Sequence, residues 1–268
     1  MTTSFEHDSR HLAETYDRVS DLQLAGGKRL VERLELASGA RVLDVGCGTG
    51  RLARWIVERV GPDGSVVGLD PLEERITIAR SHGSAVRFEV GQAEDLRAFA
   101  DASFDAVVMS SVFHWVSGKA EALREVRRVL KPGGKLGLTT IPDELSRVGT
   151  VSLTLRPVLQ RPPYAGHVDH SALGNGRRCT STDLVNLILE SELELLELQV
   201  TQHTHHHESG EAFLDFAESS SFGNLLRLVP ESQRPQLRQD LIASFDAQRA
   251  PRGVAIKGWS ALLIATTS

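Results

Sequence analysis

The apolar positions of this chain change period repeatedly, and each change marks an element. Val42, Leu43 and Val45 form a short run that suits a strand buried on both faces. Leu52, Trp55, Ile56 and Val60 then recur at helical spacing. The alternation continues with a strand over 65–70, a third over 86–90, a fourth over 104–111, a helix over 119–130, and a fifth strand over 135–140. Strands alternating with helices predict an α/β fold with a mostly parallel sheet flanked by helices. Residues 8–36 precede the first strand and read as helical, with an interruption at Gly26-Gly27. They are placed to fold over the sheet's open end as a lid.

After residue 140 the pattern breaks. Residues 145–160 predict one helix, and 161–180 are irregular. So long a connection in a compact domain is usually functional. Ligands of open α/β sheets bind at the carboxyl ends of the strands, where the fifth strand delivers this segment, so 141–181 reads as a substrate cap. Thr180 or Ser181 can cap a helix over 182–192. A sixth strand over 193–202, helices over 210–219 and 230–249, and a closing strand over 258–267 complete one domain of 268 residues. Its parts are the lid 8–36, a core 40–140, the cap 141–181 and a C-terminal part 182–268.

The chemistry is concentrated between the first strand and its helix. Gly46, Gly48 and Gly50 make a bend without Cβ atoms, so backbone can turn sharply and approach a ligand closely. The spacing G-x-G-x-G differs from the dinucleotide fingerprint G-x-G-x-x-G, which speaks against a nicotinamide oxidoreductase. Twenty residues beyond Gly50 the second strand ends in Asp70, where an acid can accept hydrogen bonds from ribose hydroxyls.

The ordered set LDVGCGTG, GLD, the acidic loop Gly91–Asp95, FDAVVMSS and LREVRRVLKPGGKL resembles the class I S-adenosylmethionine-dependent methyltransferases. The likeness covers about residues 40–140. It implies a Rossmann-like sheet of seven strands, the last antiparallel and beside the sixth, and S-adenosylmethionine as cofactor. On this resemblance Gly46, Gly48 and Gly50, with the backbone of Cys47, face the methionine and ribose. Asp70 takes the ribose hydroxyls, and Pro71 and Leu72 pack on the adenine edge. Gln92, Ala93 and Glu94 meet the adenine rim, and Ser110 lies under the methionine. Asp44 either reaches the cofactor ammonium or pins the loop through backbone N–H groups. YDRVSDLQ is similar to the start of the malonyl carrier-protein O-methyltransferases, so Tyr16 either closes over the cofactor or packs in the lid. Two positions depart from the family. Gln92 stands where Asp is common, and Arg75 where Met is common.

Methyl transfer implied by this likeness needs the reacting atoms in line and water excluded. A base is required only for an acceptor that must lose a proton. His114, just past the fourth strand, is the candidate catalytic residue. Alternatively Phe113, His114 and Trp115 wall the acceptor pocket, as in the similar aromatic segments of trans-aconitate and juvenile-hormone-acid methyltransferases, whose carboxylate acceptors need no base. Arg156, Arg161, Tyr164, His167, His170, Arg177 and Arg178 give the cap a cationic character suited to a carboxylate or phosphate. Trp115, Arg156, Arg161, Tyr164 and His167 are the candidate substrate residues. The expected reaction is methyl transfer to a small acceptor, free or carrier-bound, with O-methylation ahead. Carbon methylation of the ubiquinone/menaquinone type, which LREVRRVLKPGGKL also resembles, and a non-catalytic cofactor-binding module are the alternatives.

Bulk properties narrow the partners. The net charge of −5 argues against a broad nucleic-acid surface. Pro162-Pro163-Tyr164 resembles the base-gripping motif of amino-group DNA methyltransferases, but Arg161 replaces its polar acceptor and it follows the wrong strand. No apolar run approaches the ~20 residues that span a bilayer, and the N-terminus lacks an apolar leader, so a cytoplasmic protein is expected. Two distant cysteines, Cys47 and Cys179, support neither disulfides nor a thiolate metal site. If extended, the run 203–207 puts His203, His205 and His207 on one face. A polar strand end facing the substrate side explains it without a metal. The oligomeric state is not readable.

Overall fold

Strand β1 (Arg41–Val45) lies inside the sheet, between β2 and β4, and is buried from Val42 onward. The computed structural model describes residues 7–166, 178–222 and 224–268. His167, His170 and Arg177 lie outside them. Parallel neighbours of β1 are β2 (Ser65–Asp70) and β4 (Phe104–Ser110). β3 (Arg87–Val90) pairs with β2, and β5 (Leu130–Thr140) with β4. β8 (Gly253–Thr266) enters antiparallel between β5 and β6 (Glu194–His207), giving the order β3-β2-β1-β4-β5-β8-β6. The two-residue β7 (Arg249–Ala250) pairs with β8 and makes eight strands, one more than expected.

Helices cover both faces. α5 (Lys119–Val129) and α8 (Ser181–Glu190) close one hydrophobic cluster with Leu43, Val107, Leu136 and Leu263. Thr180 caps α8 in a reciprocal box with Asp183. On the opposite face α2 (Asp21–Leu34), α3 (Arg51–Val60) and α4 (Glu73–Ser81) pack on Val42, Val66, Val108 and Ile264. α1 (Arg10–Val19) precedes α2.

The expected break at Gly26-Gly27 does not occur, and α2 runs through it. A Cβ on Gly27 would lie 2.6 Å from Leu52 and 3.0 Å from Ser110 Oγ. The glycine lets the lid helix press onto the site at a cost of roughly 1 kcal/mol in helix propensity.

The cap is assembled from more than residues 141–181. The expected helix over 145–160 is two, α6 (Asp143–Ser146) and α7 (Thr150–Leu159). α7 shares a third cluster with α9 (Gly210–Ser220) and α10 (Arg234–Asp246), built on Leu155, Leu159, Phe213, Leu241, Phe245, Val254 and Ile256. Its floor is a two-stranded ribbon. β5 pairs with β8 only as far as Thr140↔Ala261, whereas β6 and β8 stay paired from Thr201↔Ser260 to His207↔Val254. At ~3.3 Å per residue the ribbon rises roughly 20 Å past the ligand-side edge of the sheet. The histidine run is therefore strand, as read. His207 packs on Phe213 and Phe216, and the His203 and His205 rings lie 4.6 Å apart. His207 thus meets the α9 aromatic layer.

Candidate cofactor and acceptor site

Gly46, Gly48 and Gly50 all hold positive φ, at 74°, 55° and 77°, in the left-handed region that favours glycine. At Gly46 the space is also taken, because a Cβ there would lie 2.2 Å from Val112. The bend is tied to β2. Gly46 and Cys47 donate their amides to Leu69 O at 2.6 and 3.0 Å. Gly48 N donates to Asp70 Oδ2 at 2.8 Å, and Leu72 N to Asp70 Oδ1 at 3.0 Å. Asp70 is thus a buried carboxylate, 6 % exposed. Burial raises its pKa against the lowering effects of Arg75 and of the two amides.

Asp44, at the end of β1, is 1 % exposed, and its Oδ2 has no hydrogen-bond partner. No hydrogen bond among the described residues joins it to the loop amides, which are spent on Leu69 and Asp70. Of the two roles expected for Asp44, loop pinning is therefore not seen. Burial, with the charge of Asp70 behind it, pushes its carboxyl up to about 7. The carboxylate borders a cavity of about 40 Å³ together with Gly46, Cys47, Thr49 and Ser110. Tyr16, Ser20, Gln23 and Leu24 roof it from the lid, and Arg51 and Leu52 close its side. The Cys47 amide is tied to Leu69 O. The Cys47 Sγ packs toward Gly68 of β2, and burial pushes the thiol pKa up.

Two arginines tie the N-terminal segment to the core. Arg75, the residue standing in place of the family's Met, pairs with Asp8 at 3.1 Å, and each side chain is 3 % exposed. Its Nη2 donates to Ser219 O at 2.9 Å, and its guanidinium lies 4.5 Å from the Tyr16 ring and 4.6 Å from the Phe222 ring. Arg51 reaches back from the start of α3 to Ser20 Oγ (3.2 Å) and Asp21 Oδ1 (2.6 Å). Asp8, Ser219 and Phe222 had no signal in the sequence. They converge only through the packing of α1 on α4 and α9.

At the tip of β4, Ser111 adopts φ 59° and donates its amide to Thr139 Oγ1 at 2.8 Å. A 3-10 turn, Phe113–Trp115, follows. His114 is 5 % exposed, with Nδ1 3.5 Å from Thr140 Oγ1 and its ring 5.1 Å from that of Trp115. Trp115 in turn meets Phe222 edge-on at 4.9 Å. Burial holds the His114 pKa well below the ordinary value, and Arg178 and Lys119 lower it further. The imidazole is neutral at neutral pH.

The remaining expected residues divide. Leu72 is half-buried and its carbonyl begins α4, while Pro71 is exposed. The Gln92 carbonyl accepts from Asp95 N and Ala93 is buried in the core, so these two build the turn after β3. Glu94 Oε1 accepts the Ser117 and Gly118 amides, each at 3.0 Å. It anchors the approach to α5. Tyr164 is corrected. It is 1 % exposed in the third cluster with its hydroxyl on Asp240 at 2.8 Å, so it is core and not a pocket wall. Arg161 is exposed, its Nε on Pro157 O, and Arg156 Nε is sealed without a partner in α7. Neither is joined to the β4 tip by any hydrogen bond among the described residues.

The donor set suits an adenosyl ligand that carries an amino acid: a buried acid with a spare oxygen, a carboxylate at the next strand tip, and a bend that a Cβ would fill. Comparison agrees. Residues 43–138 match a family described as a methyltransferase domain. Over 132 residues the chain is 39% identical to a malonyl-[acyl-carrier protein] O-methyltransferase of Erwinia pyrifoliae, covering 49% of this chain and 48% of that protein. Over 136 residues it is 37% identical to the ubiquinone/menaquinone biosynthesis C-methyltransferase UbiE of Hahella chejuensis, covering 47% and 54%. The chain thus spans about half the length of these curated relatives. The crystal structure of YcgJ from Bacillus subtilis shares the fold, with a TM-score of 0.60 at 19% identity over 91% of this chain and 98% of that one.

Proposed function

We propose that residues 43–138, which match a methyltransferase domain, bind S-adenosylmethionine in the class I manner, and that the chain methylates a small or carrier-bound acceptor, at a carboxylate oxygen. The observation that carries cofactor binding is Asp44 Oδ2, buried and unpartnered beside a glycine bend hydrogen-bonded to Asp70. When bound, S-adenosylmethionine supplies a sulfonium-bound methyl group open to in-line attack. Asp44 holds its ammonium and Asp70 its ribose hydroxyls. Arg51, at the start of α3, meets its carboxylate with the aid of the helix dipole. Leu72 borders the adenine. Tyr16 and the rest of the lid exclude water. The cavity of about 40 Å³ has room for a few waters only, so α1 moves to admit the ligand and closes over it.

The choice of acceptor rests on His114. A base works best with a pKa near the working pH, and burial beside two cations keeps this imidazole from taking a proton. A carboxylate needs no base, and the relative acting on a malonyl carrier protein supports that class. The UbiE relative supports carbon methylation as the second reading.

Titration calorimetry with S-adenosylhomocysteine tests the premise, with NAD(H) as control. Uptake of the first and not the second is expected. No uptake by folded protein removes the reading. Assay of carboxylate, phenol and quinone acceptors then separates oxygen from carbon methylation, and cofactor uptake with no transfer to any of them favours a non-catalytic module.

A further inference from the structure

We propose that the outer edge of β6 is a self-complementary interface, and that two copies of this chain pair antiparallel about Val200 and join their sheets into one. β6 ends the strand order, and among the described residues nothing pairs with its outer edge. The opposite end of the sheet is protected in two ways that keep strand edges from pairing. β3 has only four residues, and it carries the Arg87–Glu89 ion pair. β6 has neither protection. It runs for 14 residues and holds no proline, lysine, arginine or glycine over 197–203. Its one register shift, between Leu195 and Glu197, precedes that span. Residues 199–202 are all exposed, so neither helix layer covers this stretch. Apolar exposure gathers here too. Six large apolar side chains are exposed among the described residues, and three of them, Leu189, Leu196 and Val200, lie on α8 and β6.

One hydrogen bond fixes which backbone groups of β6 face outward. The Lys257 amide of β8 donates to Thr150 Oγ1 at 2.9 Å and so turns away from β6. Lys257 stands opposite Thr204. In an antiparallel ladder two opposed residues either exchange both bonds or both turn away. Thr204 therefore points its N–H and C=O outward, and the unbroken register over 197–207 gives the same direction to Gln202, Val200 and Leu198. A second β6 laid antiparallel, Val200 opposite Val200, meets these groups with its own. The two Val200 residues exchange both bonds, and Leu198 of each copy does so with Gln202 of the other.

The side chains choose among the registers that the backbone allows. On the α8 face Val200, 44 % exposed, covers its own copy. On the α2 face Glu197 comes opposite His203 of the second copy, and Gln199 opposite Thr201. Arg33 of α2 holds Glu197 at 2.7 Å. Arg29, one turn back on the same face of α2, acts on His203 and makes no ion pair among the described residues. The second copy's Glu197 supplies the missing anion. A shift of two residues one way sets Glu197 against Thr201, and the other way sets Val200 against Gln202. Only the register centred on Val200 matches apolar with apolar and acid with base together. Such a contact is isologous, the kind that closes as a dimer.

Sedimentation velocity of the full chain at micromolar concentration tests this. Wild-type protein is expected to sediment as a dimer. Because Val200 meets itself, a charge placed there meets its own copy. Val200→Lys and Val200→Glu should each raise the dimer dissociation constant roughly tenfold or more through like-charge repulsion. An equimolar mixture of the two should regain the dimer, since Lys then faces Glu. Val200→Pro removes an outward amide that β8 never used, a change edge strands tolerate, and should also give a monomer. All three variants should keep the wild-type circular dichroism spectrum, which shows that they fold. A wild-type monomer overturns the proposal and leaves the edge open to a strand from another protein. A dimer that survives both charged variants, or a mixture that stays monomeric, overturns the pairing about Val200.

Discussion

Arg75 and Asp8 meet at 3.1 Å with both side chains nearly sealed from water. The pair ties the segment ahead of α1 to α4, while Ser219 O and the Tyr16 and Phe222 rings complete the guanidinium's surroundings. Removing one partner of a buried ion pair costs ~3–5 kcal/mol, because the other charge is stranded. Arg75→Met should therefore lower stability by about that amount, and adding Asp8→Asn should restore much of it. If the pair is a latch, the single variant should also raise the association rate of S-adenosylhomocysteine severalfold in stopped-flow. Lost stability with an unchanged rate would make Arg75 a structural strut only.

Asp70 joins two tasks, since its oxygens already accept the Gly48 and Leu72 amides. Asp70→Ala should weaken S-adenosylhomocysteine by ~1–3 kcal/mol through lost ribose acceptors and should also loosen the bend. Asp70→Asn keeps one acceptor oxygen and should fall between. Calorimetry that finds either variant binding like wild type would take Asp70 out of the cofactor site.

Asp44 makes binding depend on pH. Its carboxyl titrates at about 7, so below that value a growing fraction is neutral and cannot pair with an ammonium. Affinity for S-adenosylhomocysteine should decline as pH falls from 8 to 6, and Asp44→Asn should bind weakly with no such slope. Stability runs the other way. The folded pKa is raised above the unfolded value near 4, so the folded state holds the extra proton between these pH values. The unliganded protein should lose stability as pH rises from about 4 to about 7, by ~4 kcal/mol at most. Asp44→Asn should then melt higher than wild type at pH 8. A variant that melts lower would contradict the burial argument.

His114 is expected to shape the pocket without exchanging protons. At saturating cofactor, kcat for a carboxylate acceptor should show no limb near pH 6.5. His114→Asn, which keeps a polar group facing Thr140, should reduce kcat less than tenfold. A basic limb that vanishes in the variant would restore the role of general base.

Much of the core was legible because its determinants are local. The glycine bend, the acid ending β2 and the succession of five strands along the chain each follow from residues close in sequence. The antiparallel placement of the last strand beside β6 came from family likeness, since periodicity carries no information on strand order. The cap was only half legible. Residues 141–181 break the pattern visibly, but α9, α10 and the raised half of the β6–β8 ribbon join them through contacts across the chain. Tyr164 shows why position alone misleads. It lies in the cap, yet its ring fills the cluster under α7 and its hydroxyl is taken by Asp240. Glu94 shows the reverse, since its partners, two backbone amides ahead of α5, leave no mark in the sequence.

β8 runs unbroken from the third cluster, through Val254 and Ile256, to the layer beneath α2, through Ile264. One continuous beam, paired to β6 along most of its length, therefore joins the two clusters. New acceptors could arise by rebuilding the far end of that beam while the sulfonium seat stays as it is.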